Sequence, residues 1–458
     1  MSIYRGVGGL TLGLAALFSA PAQALLSVST HPTARVSCSA GVCSATAASA
    51  NLNMTDLQNM LATSDVILKP GSVARDILVN APVTWTSTHT FTLDSWRGIT
   101  VNHPMMVEGP GGLVVTTNDG GTSGELQFTG MARVEFWDLS SPLAINGTAY
   151  TLENSLAGLA SAIAANPSGN FALAKGYSAK GDGSYATSPI TTTFTGHFEG
   201  LGNTISNVTA QPRGYQLDVG LFSILGAGGT IHDLHLVNVR MLASNTERIG
   251  TLLGRNYGEV SYVTAAGMVK SYKNSKSGGL IGDNLGAVRR VQATVTLPGG
   301  AAGLLGMNSG SLSESWASPT ITAGNVATTL LAGGATGSIV DCYAVGSASG
   351  SYMLTGLTNL IQGTLANSYV AGVLTDLGAT FKGNVAVFNT GTVSNVYWDT
   401  TTTNLGWGCD PRYSCPQAVG LSDAQLKSGL PTGFDPTIWG HDPAINNGLP
   451  YLLHNPPG

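Results

Sequence analysis

Two groups of residues whose types and spacing could bind an ion or a ligand stand out in this 458-residue sequence. His232 and His235 lie three residues apart on a predicted strand and turn, where two imidazoles could reach one metal ion. Lys270, Lys273 and Lys276 form a basic group that could bind an acidic polysaccharide. We interpret the histidines as solvent-facing turn residues and the lysines as a solvated connection in a Ser-rich loop. The sequence therefore predicts no metal site and no cofactor.

Carboxylates would carry out the hydrolysis of a polysaccharide, since glycosidases need two of them close together on one face. The 25 Asp and Glu residues include no Asp-Asp pair and no Asp-x-Asp cluster. The groove signatures of pectin-cleaving enzymes are missing, because the segments around His197 and His441 are not followed or joined by the acids expected in those signatures. We predict no catalytic residue, and a carbohydrate-active enzyme with a site built from loops is the alternative interpretation.

The composition narrows the class of protein. Charged residues make up 10% of the chain and hydrophobic residues 43%, which is unlike the charge-rich, apolar-poor profile of disorder. A net charge of −5 gives no electrostatic basis for nucleic-acid binding. The 61 glycines show no three-residue period, which excludes collagen. These features favour a β-rich protein whose apolar runs are too short to span a bilayer.

The N-terminus and the cysteines indicate export. Arg5, an apolar run and the small residues Ala22 and Ala24 are typical of a signal peptide over residues 1–24, with no transmembrane segment after its removal. In an exported chain, two close cysteine pairs are most simply local disulfides, and metal ligation is the alternative. Cys342 is interpreted as a small buried hydrophobe. The predicted disulfides join Cys38 to Cys43 and Cys409 to Cys415.

An internal repeat dominates the second half of the chain. Each unit has an apolar-apolar-Gly segment or its remnant, followed by x-(Asn)-x-Gly-x and an aliphatic residue. The second Gly of this pattern recurs at steps of 29, 28, 24, 27, 26 and 28 residues. We call these glycines the anchor glycines: Gly229, Gly258, Gly286, Gly310, Gly337, Gly363 and Gly391.

Each repeat is predicted to consist of short strands and turns. The apolar runs are two to four residues long, are interrupted by Gly and Asn, and lack helical spacing. Six residues after four of the anchors an aromatic recurs, and stacking of successive coils would place these rings in one ladder. The predicted fold is all-β: a right-handed parallel β-helix (β-solenoid) with short helical elements and capped ends. The ladder comprises Trp316, Tyr343, Tyr369 and Tyr397.

A shorter period of 22 residues precedes the main repeat, since Ile77–Val83 resembles Ile99–Met105. We interpret it as the start of the same solenoid in tighter coils. Between the two periods, Leu152–Ala165 has helical spacing. After the signal peptide, the predicted parts are an N-terminal cap with a short helix (25–65), a β-helix with ~22-residue coils (66–148), a lateral helix insertion (149–176), a β-helix with the longer repeats (177–403) and a C-terminal cap (404–458).

The repeat units resemble the GLUG motif of exported bacterial proteins, as in Gly279–Val288 and its sister copies. The segment Phe194–Val208 is similar to the stretch that opens such arrays, and Tyr397–Thr400 to the one that closes them. Together, over about residues 75 to 453, they resemble filamentous-haemagglutinin-like surface adhesins. Some GLUG-bearing proteins are immunoglobulin-cleaving metallopeptidases, but the chain has no His-Glu-x-x-His, so that activity is not expected here.

The resemblance implies a surface protein of a bacterium, secreted or on the outer cell surface. We predict adhesion, or binding to glycans, matrix or a host surface, without enzymatic activity. The alternatives are a polysaccharide lyase or hydrolase, in which charged side chains would converge in a groove, and a purely structural, self-associating module.

Overall fold

The computed structural model describes residues 24–71, 73–121, 124–243, 245–271, 276–322, 325–403 and 405–457. The chain forms a right-handed parallel β-helix of about 13 turns with 7% helix, which confirms the predicted fold class. The signal peptide prediction lies outside the described residues except for Ala24, and Lys273 also lies outside them. Two apolar cores follow each other along the chain, so we describe a first and a second stack of coils.

The first stack has three faces of parallel strands. Strands Leu25–Ser29 and Ser49–Asn53, within the segment predicted as a cap, pair with each other and belong to one of these faces. The first face also contains Asp76–Val79, Ile99–Val101 and Leu126–Phe128. The second face consists of Val83–Trp85, Met105–Val107 and Val134–Phe136. The third consists of Val42–Ala45, Val66–Lys69, Phe91–Asp94, Leu113–Thr116 and Leu143–Ile145, with Val36–Ser39 paired antiparallel to its first strand.

The second stack is built on one long sheet, which we call the main sheet. Its strands are Thr148–Glu153, Asn170–Leu173, His197–Glu199, Thr230–Leu242, Glu259–Lys270, Ala287–Arg289, Gln292–Pro298, Ser311–Ala317, Ser338–Ala344, Thr364–Val370, Thr392–Asp399 and Ala418–Leu421. Short strands continue several of its coils: Tyr177–Ser178, Ser184–Tyr185, Thr204–Ser206, Thr209–Ala210, Thr320–Thr322, Ser347–Gly350 and Val373–Asp376.

The remaining faces of the second stack are narrower. One comprises Gln216–Val219, Thr246–Ile249 and Lys276–Ser277, and the next comprises Phe222–Leu225, Leu253–Asn256, Ile281–Asn284 and Leu305–Asn308. Later coils contribute Ala327–Thr329, Met353–Thr355, Phe381–Gly383, Leu360–Ile361 and Phe388–Asn389. Burial does not alternate strictly along these short strands: all four residues of Ile281–Asn284 are buried, whereas Leu305–Asn308 buries its first and last residues.

Helices contribute to each core. Helix α1 (Met54–Leu61) begins at the cap residue Asn53 and buries Leu57 and Leu61 in the first core. Helix α2 (Leu156–Ala165) begins at the cap residue Ser155 and contributes its apolar face to the second core. A one-turn helix α3 spans Asp423–Leu426, and 3-10 turns span Ala179–Gly181 and Asn446–Gly448. No helix in the described ranges is long and apolar enough to cross a membrane.

Two disulfides lie near the ends of the described chain. Cys38 is bonded to Cys43, and Cys409 to Cys415, while Cys342 is a buried free thiol in the second core. Both disulfides predicted from the sequence are thereby confirmed. Each bond closes a short loop and so removes little chain entropy.

The C-terminal segment runs back along the outside of the main sheet. Trp439 and Leu452, from a small antiparallel pair of strands (Trp439–Gly440 and Tyr451–Leu452), pack on the predicted aromatic positions. The rings of Trp316 and Tyr343 stack at 5.6 Å, and those of Tyr343 and Tyr369 at 5.2 Å. The segment therefore covers a third apolar cluster that lies outside the two cores.

The anchor glycines explain the regular step of the repeat. A Cβ built on Gly310 would lie 1.9 Å from the carbonyl oxygen of Gly286, and one on Gly337 would lie 1.9 Å from that of Gly310. The same clash with the preceding anchor recurs at Gly363 and Gly391. Only glycine permits the backbones of successive coils to approach this closely.

A ladder of buried asparagines runs beside the anchors. Asn256 Nδ2 donates to Asn284 Oδ1 at 2.8 Å, and Asn284 Nδ2 donates to Asn308 Oδ1 at 2.7 Å. Asn308 Nδ2 donates in turn to the carbonyl of Ser338 at 2.8 Å. All three asparagines are fully buried, and each side-chain amide donates to an acceptor on the next coil. Without this hydrogen bond the acceptor would be unpaired inside the stack.

We expect Gly310→Ala to lower the free energy of unfolding by about 2 kcal/mol or more, because the added methyl meets a backbone carbonyl that cannot move aside. Gly181→Ala is the control, since a Cβ there meets nothing within 4 Å. Chemical denaturation followed by circular dichroism measures both. Equal stability of the two variants would contradict the role of the anchors.

We expect Asn284→Ala to cost about 2 kcal/mol of unfolding free energy, because it leaves buried partners of the ladder without hydrogen bonds. Asn102→Ala is the matched control, since its side-chain hydrogen bonds with Asn80 and Thr129 are both exposed and their loss should cost about 0.5 kcal/mol or less. Thermal and chemical unfolding compare the two. A loss in Asn284→Ala no larger than that in the control would contradict the stabilising role of the ladder.

Candidate functional site

Polar and charged side chains converge where the two stacks of coils meet. Glu199 is in register with His232 on the neighbouring strand of the main sheet, His232 with Ser261, and Ser261 with Arg289. Because parallel strands stack like positions above one another, these residues form a column across four coils. The third position after an anchor glycine is occupied by His232, Ser261 and Arg289 in three successive coils.

A second column stands next to the first, at the fourth position after each anchor. Asp233, Tyr262, Arg290 and Glu314 all adopt left-handed backbone conformations, with φ between 45° and 54°. Such a conformation is uncommon for residues other than glycine and here bends the strand once in every coil. The bend is therefore a property of the repeat and not of one residue type.

The first stack supplies the opposite wall through Glu125. Its carboxylate accepts a hydrogen bond from Arg289 Nη2 at 2.6 Å and further bonds from Arg290 and from the Tyr262 hydroxyl. Burial alone would raise the pKa of Glu125, but the hydrogen bonds from Tyr262 and Arg289 and the nearby charge of Arg290 outweigh it and lower the pKa. Gln127 Nε2 also donates to the Tyr262 hydroxyl, at 3.0 Å. These contacts join the two stacks.

Glu199 and Asp233 form a buried, hydrogen-bonded pair of carboxyl groups. Burial raises the pKa of Glu199 to about 7, and burial together with the neighbouring Glu199 raises the pKa of Asp233 well above its ordinary value. The backbone N–H of Leu201 donates to Glu199 Oε1 at 3.0 Å. Two carboxyl groups in such contact share a proton near neutral pH, because both cannot ionise side by side.

This pair corrects the sequence-based expectation that no acids come together. Glu199 and Asp233 lie on different coils, so a search for adjacent acids in the sequence does not find them. Two carboxyl groups in direct contact are closer together than the catalytic pair of a retaining glycosidase, whose separation is about 5 Å. In inverting glycosidases the two carboxyl groups are even farther apart. The geometry therefore does not match either form of glycoside hydrolysis.

His232 and His235 are half-buried on one strand of the main sheet, which corrects their interpretation as solvent-facing turn residues. His197 Nδ1 is hydrogen-bonded to Thr230 Oγ1 at 2.8 Å, and His232 Nδ1 to Ser261 Oγ. Burial lowers the pKa of His232 to about 4, so its imidazole is neutral at pH 7. Burial also lowers the pKa of His235.

An open cleft of about 280 Å³ lies between the two walls, and we call it the junction furrow. A second hollow of about 400 Å³ adjoins it and shares Asp233 and Tyr262 as lining residues. The junction furrow is lined by Thr117, Asn118, Gly124, Glu125, Leu126, Ile145, Asn146, Thr148, Tyr150, His197, Glu199, His232, Asp233, Ser261, Tyr262 and Arg289.

Apart from His232, which lines the furrow, the predicted disulfide, anchor and ladder residues lie elsewhere. The cysteines close loops near the ends, the anchor glycines hold the coils together, and the aromatic positions lie under the C-terminal segment. Over the residues that the structure describes, no group of three or more His, Cys, Asp or Glu side chains could hold a metal ion. The later coils of the furrow carried one usable signal in the sequence. The third or fourth position after an anchor is occupied by His232, Asp233, Ser261, Tyr262 and Arg289.

One segment of the chain matches a known family. Residues 146–267 match the sequence model of the M26 IgA1-specific metallo-endopeptidase N-terminal region. This segment contains both members of the carboxyl pair, both histidines beside it, and Tyr262. The prediction that the chain is non-enzymatic is therefore wrong, because the match points to a peptidase family.

Two further likenesses are partial. Over 90 residues the chain is 37% identical to halomucin of Haloquadratum walsbyi, a stretch that covers 20% of this chain and 1% of halomucin. A solved structure of an IgA1 protease superposes with a TM-score of 0.41 at 21% identity, covering 63% of this chain and 23% of that one. The chain thus spans only a small part of the length of either protein.

We expect the unfolding free energy of the wild type to fall, relative to that of Glu199→Gln, as the pH rises from about 4.5 through about 7. A buried carboxyl with a raised pKa stabilises the fold while it is protonated, and this contribution is lost once it ionises. Urea denaturation at several pH values measures the difference.

Glu108→Gln is the control for this experiment, since its side chain is exposed on the first stack. It should keep the wild-type dependence on pH. A pH dependence of Glu199→Gln that coincides with that of the wild type would show that Glu199 is not titrating near neutrality.

Proposed function

We propose that the chain is an extracellular β-helical binding protein that holds a host glycoprotein at the junction furrow, as the ligand-binding part of a peptidase-related system. The observation that carries the proposal is the position of the furrow. Its carboxyl pair, its histidines and Tyr262 fall within residues 146–267, the segment that matches the metallo-endopeptidase N-terminal region. IgA1, which the name of that family specifies, is the first ligand to test.

The furrow suits a binding role because its wall is rigid. Glu125 joins the first stack to Arg289, Arg290 and Tyr262 of the second, so the two walls are held at a set separation. Preorganised walls reduce the entropy lost when a ligand is ordered. The lining offers carboxyl, imidazole, amide and hydroxyl groups, which can hydrogen-bond to a polar macromolecule.

An extracellular location forms part of the proposal. Local disulfides persist in oxidising compartments, and both cysteine pairs of the chain are bonded. The proposed signal peptide over residues 1–24 would direct export. We also propose that the Gly-anchored units are GLUG-type repeats and that binding contributes to adhesion at a glycan, matrix or host surface.

We expect immobilised IgA1 to bind the purified chain, and Thr148→Trp to weaken binding at least tenfold. Thr148 is half-buried and lines the furrow, so an indole at this position would fill the space that the ligand needs. Biolayer interferometry measures the affinity. The matched control is Thr392→Trp, an exposed position on a distant coil of the main sheet.

The control should bind as the wild type does. Two results would contradict the proposal: no binding of IgA1 by the wild type, or equal binding by wild type and Thr148→Trp. Circular dichroism of each variant establishes that the coils are folded.

A further inference from the structure

We propose that the junction furrow is a binding site for a single neutral sugar residue, held through the Glu199–Asp233 pair. This inference rests on the proposed function, because it names the part of a glycoprotein that the furrow would recognise. It is carried by the side chains that line the cleft, by its size, and by the pairing of the charges around it.

The lining contains hydrogen-bonding atoms that the protein itself leaves unused. Among the residues that the structure describes, the Tyr150 hydroxyl and the Nε2 atoms of His197 and His232 have no hydrogen-bond partner. The Nδ1 atoms of both rings are bonded to hydroxyl groups, which holds the imidazoles in place. A ligand rich in hydroxyl groups would supply partners for all three atoms.

The carboxyl pair is suited to neighbouring hydroxyl groups. Carboxyl oxygens have several lone-pair sites, so a pair in contact can accept hydrogen bonds from two adjacent hydroxyls of one ring. Hydrogen bonds to a charged acceptor are stronger than those between neutral groups. The ring of Tyr150 adds an apolar face beside these acceptors, where the C–H groups of a sugar could pack.

The volume limits the occupant to a small group. The cleft has a volume of about 280 Å³. That volume is suited to one six-membered ring with its hydroxyl groups. A longer glycan would have to continue out of the cleft or into the adjoining hollow beyond Asp233 and Tyr262.

The charges select against acidic sugars. Arg289 lines the cleft, but its guanidinium is already paired with Glu125 at 2.6 Å and with Glu259 at 3.3 Å. The carboxyl pair shares a proton and therefore carries negative charge near pH 7. A sugar carboxylate entering the cleft would meet this negative charge without a cation left to pair with it.

The experiment uses saturation-transfer NMR and calorimetry on the mature chain with free monosaccharides. The neutral probes are galactose, N-acetylgalactosamine, glucose, N-acetylglucosamine and mannose, and the acidic probes are glucuronic acid and N-acetylneuraminic acid. We expect at least one neutral sugar to bind and the acidic sugars not to bind. Glu199→Gln, which keeps the shape of the side chain, should weaken binding at least tenfold, whereas the exposed control Glu108→Gln should not change it.

Three outcomes would overturn the inference: no binding of any neutral sugar, equal binding by wild type and Glu199→Gln, or preferred binding of the acidic sugars. A parallel measurement with IgA1 before and after enzymatic removal of its glycans separates this inference from the proposed function. Unchanged binding after deglycosylation, together with no binding of any free neutral sugar, would overturn the sugar site and leave the glycoprotein interaction standing. Binding of a free neutral sugar without binding of IgA1 would support the sugar site and contradict the proposed ligand.

Discussion

The close approach of successive coils at the anchor glycines is the constraint on which the rest of this structure depends. A Cβ on Gly258 would lie 2.1 Å from the carbonyl oxygen of Gly229, and one on Gly363 would lie 1.9 Å from that of Gly337. With glycine at each anchor, the backbones meet and every coil is held in register with the next. The asparagine ladder and the in-register strands of the main sheet both follow from that register.

Because successive coils are in register, equivalent positions of the repeat form columns of side chains. A column forms a site only where another part of the chain lies opposite it. Farther along the second stack the column at the fourth position meets the C-terminal segment, as Asp341 meets Trp439 and Glu314 meets His454. Near the start of the second stack it meets the first stack through Glu125. The same repeat position therefore supports packing at one end of the stack and lines an open cleft at the other.

Burial determines the protonation states of the groups that line the cleft. Glu199 and Asp233 have little solvent to stabilise a charge, so their pKa values rise and one proton is shared near neutrality. Burial acts in the opposite direction on His232, whose imidazole is neutral. The match of residues 146–267 to a metallo-endopeptidase N-terminal region overturns the non-enzymatic interpretation, and it covers this part of the second stack.

The β-helix could be predicted from the sequence, because stacking of like positions leaves a period in the chain that glycine and asparagine mark. The two close cysteine pairs were also evident there. The candidate site could not be predicted, because it is assembled from residues that are far apart in the sequence. Glu125 meets Arg290 across 165 residues, and Glu199 meets Asp233 from a different coil. Such contacts depend on how the two stacks pack against each other. That packing is determined by non-repeating segments, which have no periodic pattern in the sequence.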